Sequence, residues 1–189
     1  MSMKFRCIVA ACATTILCAA ASVQATTHPH DRNGFVIGFS LGGGSAGIKD
    51  GDSREGGGTG NFRIGYAVRP DLVLHFEGTG WTRTFAEPIG DVTWTFSTYG
   101  ASATYYVPNS GAFIRGGIGA GVANVELASG GVKVSADETG LGLVVAGGYE
   151  WRLTQKFALG PQVEFTYQDL DLLGSSNVVG GGLGFNWYW

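Results

Sequence analysis

Beyond residue 34 the chain keeps a period of two, and that rhythm rules out most of what 189 residues could otherwise become. The pattern is plainest at the end. Val179, Gly181, Leu183, Phe185, Trp187 and Trp189 fall on one face of a strand, and Gly180, Gly182, Gly184, Asn186 and Tyr188 on the other, because successive side chains of a strand point to opposite sides. Large apolar groups line one side of this ribbon, and small or polar groups line the other. No segment beyond residue 34 carries a convincing helical period, so the fold reads as all-β.

Earlier stretches repeat the pattern. Phe35, Ile37, Phe39 and Leu41 alternate with Val36, Gly38 and Ser40; Phe62, Ile64, Tyr66 and Val68 with Arg63, Gly65 and Ala67; Leu72, Leu74 and Phe76 with Val73, His75 and Glu77. Ile114, Ile118, Ala120 and Val122 oppose Arg115, Gly117, Gly119 and Gly121. Leu141, Leu143, Val145, Tyr149 and Trp151 oppose Gly142, Val144, Ala146, Gly148 and Glu150. Phe157, Leu159, Val163, Phe165 and Tyr167 oppose Ala158, Gly160, Gln162, Glu164 and Thr166.

Two places break the rule. Between Val92 and Val107, Trp94 and Phe96 have one parity whereas Tyr99, Ala101, Ala103 and Tyr105 have the other, which a β-bulge near Ser97 would reconcile. Pro161 has no N–H to give a ladder, so a local bulge is expected there too. Short turns near 69–71, 108–111 and 152–156 alternate with long loops near 44–58, 83–91, 127–139 and 169–177. The whole describes an eight-stranded antiparallel up-and-down transmembrane β-barrel over residues 34–189, with short turns at one end and long loops at the other.

Alternation does not say which face points inward, since a soluble lipocalin-like barrel hides its apolar side. Composition decides it. Only 14% of the residues are charged, against about 25% in a soluble domain. The small face is mostly Gly, Ala, Ser and Thr, which suits the narrow inside of an eight-stranded barrel; a water-facing surface would carry more Lys, Glu and Thr. The bulky face carries no charge in any assigned strand, and one at mid-bilayer would cost about 2–4 kcal/mol. The bulky face is therefore read as outward, against hydrocarbon. Tyr66, Tyr105, Tyr149, Trp151, Phe157, Trp187 and Trp189 near the short turns, with Trp81, Trp94 and Tyr167 near the long loops, read as two membrane-interface girdles.

Residues 1–25 are a separate object. Lys4 and Arg6 precede the apolar run Cys7–Ala21, and Val23-Gln24-Ala25 fits a cleavage site, the pattern of a secretory signal peptide. The run is too short for a membrane helix, which needs about 20 residues. Cleavage would remove all three cysteines and leave a periplasmic tail, residues 26–33, with ten basic against 15 acidic residues in the mature chain. No disulfide and no thiolate metal site is then expected. Nor does any basic stripe suggest nucleic acid.

The leader, the eight strands, the alternating connections and the terminal aromatic together resemble the small outer-membrane β-barrel families of the OmpX, opacity-type surface antigen and OmpA-transmembrane-domain kind. The resemblance implies a bacterial outer-membrane location with both termini periplasmic and the long loops outside. It also implies contact with outer-membrane lipid and lipopolysaccharide, and engagement of the C-terminal strand by the barrel-assembly machinery. The roles it implies span adhesion, serum resistance, envelope integrity and narrow channels.

Inside the barrel, Arg63, His75, Glu77, Arg115, Glu150 and Glu164 are expected to form a polar network that fills the interior, with a proton or ion path as the alternative. An enzyme would need a nucleophile in hydrogen-bond contact with a base; His75, the one barrel histidine, and Glu77 would be its default pair, and none is expected. Gly42–Gly47 matches the dinucleotide fingerprint by letters, but no helix follows to hold a pyrophosphate. Asp50 and Asp52 invite calcium weakly, because Arg54 falls where a further ligand would be needed. If the mature chain starts at Thr26, its amine with His28 at position three offers a square-planar Cu(II) or Ni(II) site; otherwise neither metal nor cofactor is expected.

In the long loops Lys49, Arg54, Arg83 and Lys133 stand against ten carboxylates, namely Asp50, Asp52, Glu55, Glu87, Asp91, Glu126, Asp137, Glu138, Asp169 and Asp171. Such loops disfavour heparin-like polyanions and favour a basic partner or cation-bridged lipopolysaccharide. The expected function is that of a surface or envelope protein without enzymatic activity. A narrow channel for small solutes is the second reading, and a lipid-modifying enzyme the third.

Overall fold

The computed structural model describes residues 32–48, 54–88, 90–129, 132–170 and 174–189. They form β1 (Gly34–Ile48), β2 (Glu55–Arg69), β3 (Leu72–Glu87), β4 (Gly90–Tyr106), β5 (Ala112–Ser129), β6 (Val132–Tyr149), β7 (Trp151–Arg152), β8 (Phe157–Leu170) and β9 (Gly174–Tyr188). β7 continues β6 past Glu150 against the same neighbour, so the nine segments make eight staves. Every stave pairs antiparallel with the next, and β9 returns to β1 with Leu183 opposite Leu41. Closure removes the two rows of unpaired N–H and C=O groups that an open sheet would present.

The faces fall as the alternation requires. Phe35, Leu41, Phe62, Phe76, Ile114, Val145 and Val163 stand exposed outside, whereas Val36, Arg63, Val73, Glu77, Arg115 and Ala158 are buried inside. Glycine on the inner face has a steric reason. A Cβ at Gly42 would sit 2.1 Å from the carbonyl oxygen of Gly181, whereas at outward Gly58 nothing comes within 4 Å. Small inner residues let so few staves coil tightly enough to close.

Several expectations are corrected. The long loops are not at 44–58, 83–91, 127–139 and 169–177, because the strands run on through most of those residues. Only 49–54, 88–89, 130–131 and 171–173 separate them at that end. Setting β7 aside, the strands have 14 to 18 residues, more than the about 9–11 that crossing a bilayer requires.

No bulge occurs near Ser97: β4 pairs without a break with β3, from Leu72↔Tyr105 to Glu87↔Gly90, and with β5, from Asp91↔Ala128 to Tyr106↔Phe113. Trp94 and Phe96 therefore keep their inward parity, and Phe96 is buried with Trp81, Ala123, Leu170 and Val178, Trp94 packing alongside. This removes Trp81 and Trp94 from the expected outer girdle. Tyr167 has outward parity.

At Pro161 no residue is inserted either. The ladder to β9 passes through Pro161↔Leu183, and the register on the other side is the same at Gly148↔Gln162 as at Trp151↔Leu159. The missing N–H shows instead as a gap in pairing opposite Tyr149 and Glu150, which is where β6 gives way to β7. One register shift that the alternation did not announce lies between Ala67 and Arg69.

Candidate functional site

Inward parity brings Arg63, Glu77, Arg115 and Glu164 from four staves into one layer. Arg115 lies between both acids, with Nε 3.0 Å from Glu77 Oε2 and Nη2 2.6 Å from Glu164 Oε2. Ser102 donates to Glu77 at 2.8 Å, and Asn61 and Thr79 donate to Glu164. Arg63 is held by amides, donating to Oδ1 of Asn61 at 2.8 Å and of Asn186 at 3.1 Å. His75 meets the Thr104 hydroxyl at 3.1 Å. Above this layer Gln162 donates to Ser40 at 3.0 Å. The space beside them is a cavity of about 20 Å³, room for one or two waters. The arrangement satisfies charges that would otherwise be costly to bury, and it fills the lumen.

Glu150 sits apart, at the end where β1 begins and β9 finishes. It receives Nη2 of Arg32 at 3.0 Å, the Tyr188 hydroxyl at 2.8 Å, the Tyr106 hydroxyl at 3.2 Å and Nδ2 of Asn186 at 3.0 Å. Arg32 stacks 3.4 Å from the centre of the Tyr106 ring, and Arg152 lies 4.2 Å over Tyr188. Burial opposes the charge on Arg32, but the Glu150 carboxylate together with the Tyr106 and Tyr188 side chains outweighs it and raises the guanidinium pKa. Asn186 joins the two groups, accepting from Arg63 and donating to Glu150.

The sequence reading had Glu150 inside but missed these partners. Asn186 and Tyr188 carried a signal, as the two large polar residues on the small face of the closing strand. Arg32 carried none, because it precedes the first alternating segment. Around the outside of this end stand Tyr66, Tyr105, Tyr149, Trp151, Trp187 and Trp189. Trp187 packs on Phe39 and Phe157 with ring centres 5.4 and 4.9 Å away, and Trp151 on Tyr149 at 5.5 Å.

The opposite end is built differently. Pairing between β2 and β3 stops at Gly58↔Thr82, and between β6 and β8 at Gly140↔Leu170. The ladders within β3–β6 continue to Glu87↔Gly90 and Ser129↔Val132. A four-stranded sheet thus projects past its neighbours. Its rows follow from the register. Inward rows run Trp81–Phe96–Ala123–Glu138, Arg83–Trp94–Val125–Ala136 and Phe85–Val92–Leu127–Val134. Outward rows run Thr82–Thr95–Asn124–Asp137 and Thr84–Thr93–Glu126–Ser135.

Contacts agree with this placement. Thr82 meets Thr95 at 3.2 Å, Thr84 meets Thr93 at 2.9 Å and Lys133 reaches Glu126 at 2.8 Å on the outside. The hydrogen bond to Glu126 holds the exposed Lys133 amine above its usual pKa. On the inside Trp94 sits edge-on to Phe85 and Phe96, each 6.4 Å away, and Arg83 lies 4.7 Å over Phe85. Lower down, the apolar face looks outward. Here it looks inward, with no break in the register between.

Among the described residues no group of three or more His, Cys, Asp or Glu is placed to hold a metal ion. His28, Asp50 and Asp52 lie outside the described residues, as does the leader.

Residues 9–187 match the family model of the outer membrane protein β-barrel domain, a match that begins within the expected leader. Neisserial surface protein A superposes with a TM-score of 0.65 at 18% identity, over 82% of this chain and 97% of that one. Ail, the attachment invasion locus protein of Yersinia pestis, in complex with the heparin analogue sucrose octasulfate, gives 0.61 at 16% identity, over 82% and 99%. At these identities the likeness is one of fold. No protein of curated function matches the chain.

Proposed function

Since the chain belongs to the outer membrane protein β-barrel domain family of the bacterial outer membrane, we propose that it serves there as a surface or envelope protein without enzymatic activity, meeting partners through the projecting sheet β3–β6. One observation carries this reading: the reversal of polarity along unbroken strands. Outward Phe76, Tyr99, Val122 and Leu141 give way to outward Thr82, Thr95, Asn124 and Thr139. That is the change a strand needs where it leaves hydrocarbon for water. The sheet then lies outside the cell, both termini lie in the periplasm, and lipid with lipopolysaccharide surrounds the band below.

Against the channel reading stands a lumen filled by the Arg115 layer and covered at its ends by Trp81 with Phe96 and by Arg32 with Tyr106. Against a lipid-modifying enzyme stands the burial of His75 and Glu77 within that layer, out of reach of a substrate. A single-cysteine experiment tests the orientation. With the unsubstituted protein as background, Thr84→Cys reacts with a membrane-impermeant maleimide on intact cells, and Thr154→Cys only after lysis. The reverse pattern overturns the reading.

A further inference from the structure

We propose that the edge of β6 pairs antiparallel with β6 of a second copy of this chain, joining copies that face each other from adjoining membranes. The proposal rests on the reading that the projecting sheet stands in water, and it names a partner that the sheet takes. Pairing of β6 with β8 ends at Gly140↔Leu170, whereas pairing with β5 continues to Ser129↔Val132. Over residues 132–139, β6 is therefore an edge among the described residues, and alternate residues turn both N–H and C=O to the vacant side. Lys133, Val134, Ser135, Ala136 and Asp137 are all exposed there. The other edge differs. Beyond Thr82, β3 is tied to β2 by Arg83, which donates to the Gly56 carbonyl at 2.6 Å and lies 3.3 Å from Glu55.

Charge and symmetry select the occupant. An exposed edge is ordinarily guarded by charged side chains that turn other strands away. This edge carries one charge of each sign, Lys133 and Asp137, both on the outward face. In an antiparallel pair, residues directly opposite share a face, so a two-fold axis relating two copies of β6 passes through a residue and not between residues. Through Ser135 it sets Lys133 opposite Asp137 twice, Ser135 opposite its own copy, and Val134 opposite Ala136 on the inward face. Through Val134 or Ala136 it sets Lys133 opposite Ser135 or Thr139, and neither charge is matched. Contacts already present do not compete. Lys133 reaches Glu126 at 2.8 Å and Asp137 accepts from Asn124, both on the β5 side, whereas the second copy arrives from the other. An ammonium has three donors and a carboxylate about four acceptor positions, enough for both neighbours.

Symmetry also fixes where the two copies stand. Copies side by side in one membrane are related by an axis along its normal; their β6 edges then run the same way and do not pair antiparallel. The axis through Ser135 is instead perpendicular to the sheet, so it turns the second barrel upside down and sets its membrane across a gap from the first. Each junction is short and weak alone, and many between two surfaces add through their effective concentration. Opposite charges at facing positions favour this edge over one of unrelated sequence.

The test uses the protein in phosphatidylcholine nanodiscs, followed by analytical ultracentrifugation. Because both faces of a nanodisc are in water, the result does not depend on orientation in the cell, and this assay and the cysteine labelling fail separately. Nanodisc pairs are expected as concentration rises, while empty nanodiscs stay single. Lys133→Asp sets like charges opposite each other at both positions, as does Asp137→Lys, and each variant alone should weaken pairing about tenfold. An equimolar mixture of the two variants restores opposite charges at both positions and should pair as well as the unsubstituted protein. With that protein as background, Ser135→Cys should form a disulfide between copies on oxidation with diamide, since facing Cα atoms lie about 4.5–5.5 Å apart. Lys133→Cys should not do so with itself. Heat-modifiable gel migration checks folding, and should a charge variant not fold, the Ser135→Cys disulfide decides alone. Nanodiscs that stay single at every concentration overturn the proposal, as does pairing that neither charge variant weakens. A mixture that recovers nothing overturns it too, and so does a disulfide that forms as readily through Lys133→Cys as through Ser135→Cys.

Discussion

Replacing Arg115 leaves Glu77 and Glu164 facing each other in a space from which water is nearly excluded. Stranding buried charge in this way costs about 3–5 kcal/mol, whereas replacing a whole network by neutral groups is often tolerated. Arg115→Met is therefore expected to lower unfolding stability by about that amount in urea titrations of the refolded barrel. Adding Glu77→Gln and Glu164→Gln should recover most of the loss. Equal stability of the single and triple variants would show that these side chains do not act as an electrostatic unit. At this scale the alternation located Arg63, Glu77, Arg115 and Glu164, because parity alone sends them inward. It did not single out Asn61, Thr79 or Ser102. A small polar residue on the inner face looks the same whether it fills space or holds a carboxylate.

Within single strands, the sequence of β4 supports two accounts equally well. A bulge near Ser97 and a reversal of polarity both move the apolar residues from one parity to the other. Only the partners distinguish them: Thr82 on β3 and Asn124 on β5 change character at the same level, and three independent bulges in step are not observed. The long loops were misjudged for a related reason. Glycine and charge in segments such as 127–139 weaken the strand signal, yet pairing to a regular neighbour carries the strand through them. Lysine scanning along one face of β3 locates the boundary. Phe76→Lys should destabilise by about 2–4 kcal/mol, as lysine does at the lipid face of a bilayer, and Thr84→Lys by less than about 0.5 kcal/mol, as at a solvated surface. Equal costs at both positions would remove the boundary from where the sheet places it.

The whole barrel has a filled middle between two covers, one aromatic and one built on Glu150. Planar-bilayer recordings are expected to show no steady conductance for the native protein. Reproducible channels of uniform size would require the Arg115 layer or a cover to move. Architecture, closure and the outward apolar band were legible because the period of two extends over nearly the whole chain. The Glu150 cover was not, since it gathers residues 32, 106, 150 and 188 from four distant places.

The seam between β1 and β9 has a consequence for how such a molecule is made. β1 must wait for β9, made after seven other segments, and until then its outer edge has no partner strand in the barrel. Assembly therefore has a single point of commitment, reached only when β9 has been made. A chain cut short by one hairpin is left with two raw edges, a substrate for quality-control proteases and no longer a resident of the membrane.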